Sequence, residues 1–124
     1  MLVIRQAQIE ELAKAVVRCF EDRMLVHLNS YFPEHCRILE PEGSREAIRQ
    51  GIKRAASYGI VGERDVCKYI DLMFALGRDF DHNPDLTWAS SLLRDETMGD
   101  PSQRINLAFD QAMKYLQQAG GVAS

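Results

Sequence analysis

No segment of the chain alternates apolar and polar residues at every second position, so nothing in it reads as a half-buried β-strand. Long apolar runs are missing too. None approaches the roughly 20 residues that cross a bilayer, so no membrane partner is expected. The opening MLVIRQAQIEEL has no basic segment followed by an apolar run, unlike a secretory signal, and the expectation is a cytoplasmic protein. Cysteine is scarce: Cys19, Cys36 and Cys67 are odd in number and lack paired spacing. That argues against a disulfide framework and reads each as a small core hydrophobe. An excess of positive charge is also lacking, since 15 Lys and Arg stand against 18 Asp and Glu for a net charge of −3. A nucleic-acid surface needs a concentrated basic patch. The nearest approach, Arg45, Arg49, Lys53 and Arg54, reads as a solvated helix face. Glycine-rich phosphate loops, CxxC, HExxH and GxSxG are all absent. No catalytic residue, cofactor or metal ligand is therefore expected, and the chain reads as non-enzymatic.

What is present is helical periodicity. With 124 residues, 46% of them hydrophobic, the chain is long enough for one domain with a real core. The expectation is a single helical domain over residues 1–119 and a flexible tail, GGVAS, at 120–124. Its class is all-α, a compact bundle of about five helices with a long N-terminal helix. That first helix covers about residues 6–32. Ile9, Leu12, Ala13, Val16, Phe20, Met24, His27, Leu28 and Tyr31 share one broad face, and Pro33 ends it. A short helical turn in EHCRIL follows. The second helix opens near Pro41 to Ser44 and carries a narrow stripe of Ile48, Gly51, Ile52, Ala55 and Tyr58, which permits close packing. Gly59 then caps it in the left-handed region, with Ile60 behind. Val66, Tyr69, Ile70, Met73 and Phe74 make the strongest apolar stripe, stopped by Gly77. Leu86, Ala89, Leu92 and Leu93 suggest a short fourth helix, with Trp88 beside it. Asp100 and Pro101 read as N-cap and first position of the last helix.

One stretch has metal-like spacing. GRDFDHNPDLTW sets Asp79, Asp81, Asn83 and Asp85 at alternate positions, as in an EF-hand loop. Position 6 of that loop must turn sharply, however, and here it is Pro84, with φ fixed near −65°. Position 12, which should be a bidentate carboxylate, is Ser90. A turn explains the same residues, with Asn83 capping the fourth helix and Pro84 at its first position. Arg23 and His27, four apart on the apolar side of the first helix, read as a structural polar pair at the core edge. A carboxylate from another helix, such as Glu63, Asp65 or Asp71, is expected to meet Arg23. His35-Cys36 is adjacent in sequence, and adjacent helix residues face different ways, which does not suit a zinc pair or a nucleophile with its base.

The order of several short elements carries a resemblance. These are Phe20-Glu21, His27, Phe32-Pro33, Tyr58-Gly59-Ile60, Glu63 through Val66, Leu72-Met73, Leu76-Gly77, Phe80-Asp81, Pro84, Leu86 and Trp88-Ala89. Over roughly residues 18–93 the chain resembles a family of small helical proteins encoded in bacterial type VI secretion clusters and polymorphic-toxin loci. Those genes lie beside PAAR-type spike proteins and effector adaptors. The resemblance implies association with toxin delivery and no particular reaction.

The function expected is therefore a protein-binding module, an accessory chaperone or adaptor that loads a type VI secretion effector. Its partner would be an effector, adaptor or spike component, with self-association left open. The alternatives are an immunity protein that neutralises a cognate toxin, and a calcium-binding or enzymatic protein using the loop from Asp79 to Asp85. Candidate binding residues are Leu25 and Val26, which lie off the apolar stripe of the first helix, and Trp88 beside the acidic loop.

Overall fold

Where proline meets the helical pattern, the chain bends or breaks. The computed structural model describes residues 6–120, with side chains through residue 118. It contains α1 (Gln6–Tyr31), α2 (Pro33–Ser57), α3 (Glu63–Leu76), α4 (Thr87–Arg94) and α5 (Pro101–Gly120), with three short 3-10 turns. No strand occurs among these residues. No helix among them is long and apolar enough to cross a membrane. The expected tail lies outside the described residues, except Gly120, which ends α5. The chain forms two compact units, Met1–Ile48 and Arg49–Ser124.

In the first unit, α1 stops at Tyr31, one residue before the position that Pro33 pushes out of the helical region. Glu40, the residue before Pro41, also leaves helical geometry inside α2, at φ 63 and ψ 168; the proline accounts for the extended ψ and not for the positive φ. That region is almost reserved for glycine, so α2 is two helical pieces joined at a strained residue. Phe20, Met24, Leu28, Cys36, Ala47 and Ile48 are buried. Glu21 is buried as well, and Arg45 Nη1 meets its carboxylate at 3.2 Å while Nη2 meets Asp22 at 2.6 Å. Arg45 is thus a tie from α2 to α1 and not part of a solvated face. The apolar stripe of α1 does not behave as one surface. Its second half is buried at Phe20, Met24 and Leu28, whereas Ile9, Leu12 and Val16 are exposed. Cys19 is exposed too, contrary to the expectation of a core thiol, because it lies off the buried face.

The second unit begins with the C-terminal part of α2. Gly51 and Ala55 are buried, and the small stripe allows the approach that the sequence implies. A Cβ added at Gly51 would stand 2.6 Å from Ile70 Cγ1 and 3.1 Å from Met73 Sδ. Glycine at φ +80 in position 59 closes the helix: Ile60 N–H donates to the Ala55 carbonyl and Gly59 N–H to that of Ala56, both at 2.9 Å. This is the double C-terminal closure expected of a left-handed glycine. Against α5 pack both α3 and α4. Helix α5 opens with a reciprocal box, in which Asp100 N–H donates to Gln103 Oε1 and Gln103 N–H to Asp100 Oδ1, both at 2.8 Å. The buried arginine of this unit is Arg104, whose Nη1 donates to the Leu93 carbonyl at 2.5 Å and so caps the end of α4.

Alanine at a mid-helix glycine ordinarily gains up to about 1 kcal/mol. At Gly51 the clash with Ile70 should outweigh that gain, and Gly51→Ala should lose about 1–2 kcal/mol in chemical denaturation. A stabilised variant would show that α3 yields at Ile70.

Candidate functional site

Two places gather polar or accessible groups, one in each unit. The first is the acidic loop between α3 and α4. Gly77, at φ 113, lets the chain leave α3, and Phe80 turns inward to full burial against Tyr69, ring centroids 5.2 Å apart. Asp81 follows it inside and is only 2% exposed. Its Oδ2 accepts from the Tyr58 hydroxyl at 2.6 Å and from the Tyr69 hydroxyl at 3.2 Å. Oδ1 accepts no hydrogen bond, and Arg54 Nη1 stands 3.7 Å away as an ion pair. Arg54 also meets Asp79 at 2.6 Å and donates to the Arg78 carbonyl, so it holds three points of the loop.

The tautomer of His82 follows from its neighbours. Arg94 Nη2 lies 3.2 Å from His82 Nδ1, and a guanidinium can only donate, so that contact is a hydrogen bond only if Nδ1 accepts. Nε2 then carries the proton, and it stands 3.5 Å from Asp81 Oδ2. Burial, followed by the adjacent Asp81, pushes the Tyr58 hydroxyl above the ordinary phenol range. The same two causes push Tyr69 well above it. Both stay protonated donors. The hydrogen bond and charge of Arg54 hold Asp79 below the usual carboxylate range.

Alternate positions in the loop therefore serve different ends. Asp79 is bound to Arg54, Asp81 points inward to the tyrosines, and Asn83 Oδ1 accepts from Asp85 N–H at 2.9 Å with Pro84 at the first position of a 3-10 turn. An EF-hand converges such groups on one point, whereas here they are engaged separately. The sequence reading placed Asn83 as the cap of the fourth helix; it caps the separate 3-10 turn Pro84–Leu86, and α4 starts at Thr87 without a side-chain cap. The inward Asp81 was missed. Nothing near Asp81 in sequence signals it, since its donors Tyr58 and Tyr69 lie 23 and 12 residues away.

The second place is a groove of about 450 Å3 in the first unit, at the break in α2. Leu25, Pro33, Cys36 and Pro41 give it apolar walls, and Arg37 and Glu40 stand among them. Leu25 is half-buried here; its carbonyl accepts from the Asn29 amide at 2.7 Å. Val26, beside it in sequence, is 70% exposed. Trp88, the third candidate, belongs to the second unit and is half-buried on Tyr115 at 6.2 Å between ring centroids.

The polar pair on α1 needs correction. Arg23 is exposed, and its Nε donates to the Cys19 carbonyl of its own helix at 3.4 Å. The buried face runs through Phe20, Met24 and Leu28, and Arg23 lies about 100° round the helix from Met24. His27 is half-buried with its ring on Tyr31 at 4.9 Å. His35 is exposed while Cys36 is buried, so that adjacent pair does face apart. Burial, with Asp71 next, pushes the Cys67 thiol up to about 11, away from nucleophile chemistry. Compared with known protein families, curated proteins and solved structures, the chain matches none.

Removing the Asp81 carboxylate strands two tyrosine hydroxyls, so Asp81→Ala should destabilise by about 3 kcal/mol or more in urea. Arg23→Ala, at an exposed site, should lose well under about 1 kcal/mol. Because folding raises both tyrosine values, their contribution is fully present below the unfolded phenol value near about 10 and is lost as pH rises past it. Melting temperature should accordingly fall above that pH, and the Tyr58→Phe, Tyr69→Phe double variant should show a flatter alkaline limb.

Proposed function

We propose that the chain is a non-enzymatic protein-binding module, an accessory chaperone or adaptor that loads a type VI secretion effector. The observation that carries the binding reading is the groove of the first unit, where Leu25, Pro33, Cys36 and Pro41 give open apolar walls. Concave, largely apolar clefts with a few polar groups at the edge are where partner anchors seat. The strain at Glu40 supports the same reading. A non-glycine residue at φ 63 is retained at the rim, where straightening α2 would reposition groove residues on both sides of the break. The type VI setting is supported by the resemblance across residues 18–93, and it supplies the partner class: an effector, adaptor or spike component.

Leu25→Asp with Val26→Asp tests the groove. In co-purification from the native host, the folded double variant should lose its effector or spike-component partners. Val26→Asp alone, at an exposed position, should weaken them without loss of helicity by circular dichroism. Undiminished recovery of the same partners by both variants would overturn the groove as the binding site.

A further inference from the structure

The second unit contains a single histidine, His82, and it stands between opposite charges. Histidine is the side chain whose ordinary titration falls between about pH 5 and 8. On one side is Arg94, the last residue of α4, with Nη2 3.2 Å from His82 Nδ1. On the other is the buried Asp81, whose Oδ2 stands 3.5 Å from Nε2. Asp79 lies within electrostatic reach from the same loop, and Asp85 follows in the next turn. Arg54 of α2 and the hydroxyls of Tyr58 and Tyr69 meet Asp81 from behind. The imidazole is 56% exposed, so protons reach it from solvent without any opening of the fold.

The two contacts require different forms of the ring. A guanidinium can only donate, so Arg94 is held only while Nδ1 keeps its lone pair. Protonation removes that lone pair and sets a cation against a cation at the 3.2 Å contact. It also turns the Nε2 contact with Asp81 into an ion pair. Arg54 already stands 3.7 Å from the other carboxylate oxygen, Oδ1, which accepts no hydrogen bond, so both oxygens of the buried acid would then face a cation. We propose that His82 is a pH-operated latch between the acidic loop and α4, holding Arg94 while neutral and exchanging it for Asp81 once protonated. Arg94 is exposed and has the Tyr58 hydroxyl as a second neighbour, so it can swing away without unfolding the helix. What its release unties is the end of α4, where the Asp95 N–H donates to the Ser91 carbonyl at 3.0 Å. The latch lies wholly in the second unit and does not depend on the groove that carries the proposed function.

Side-chain nitrogen NMR on the full chain at about pH 8, above the ordinary histidine range, should show His82 as the Nε2–H tautomer. An Nδ1–H tautomer there would overturn the latch. In Arg94→Gln the ring should take up its proton about half a pH unit higher, because the opposing cation is gone. A titration that does not move in this variant would overturn it as well. Between about pH 8 and about pH 5, exchange protection of the Asp95 amide, corrected for the intrinsic rate, should fall about threefold in the wild type. His82→Gln should abolish that fall, since an amide oxygen accepts from Arg94 at every pH. An equal fall in both proteins, or none in the wild type, would show that His82 does not hold the end of α4.

Discussion

A carboxylate taken out of water must be met by donors, and the second unit is built around meeting Asp81. Tyr58 comes from just beyond the end of α2, Tyr69 from α3, and the ion pair to Arg54 from α2 again. His82 and Arg94 extend the chain of contacts to α4. None of these groups is placed well unless the others are, so the loop, the end of α2 and the flank of α3 are fixed together. The close approach at Gly51 has the same dependence, because a larger residue there would displace Ile70 on the helix that carries Tyr69.

The first unit rests on a different constraint, the two prolines. Pro33 and Pro41 each force the preceding residue out of helical geometry, and the resulting bend at Glu40 opens the groove that α1 and α2 share. Arg45 then holds the later part of α2 to α1 through Glu21 and Asp22.

Much of this was legible in the sequence, for identifiable reasons. Helix positions, the Gly59 closure and the Asp100-Pro101 start all depend on neighbours within four or five residues, and local backbone chemistry leaves them little freedom. The EF-hand spacing was set aside on the same local grounds, since proline cannot turn where that loop must.

What depends on partners far along the chain was not legible. Arg23 and Arg104 look alike in sequence, as arginines within four residues of apolar helix positions, yet Arg23 is exposed and Arg104 is buried on the end of α4. Arg45 and Arg54 read as surface charge until the acids that meet them, 24 and 25 residues away, are in view. Sequence by itself determined the all-α class and the approximate places of five helices, because these follow from propensity and periodicity, though the starts of α2 (Pro33, not Pro41 to Ser44) and α4 (Thr87, not Pro84) were misplaced. Only the tertiary structure decided which charges are buried, that Asp81 turns inward, and that the stripe of α1 is covered along half its length. Those outcomes depend on which distant groups arrive to desolvate and satisfy each side chain.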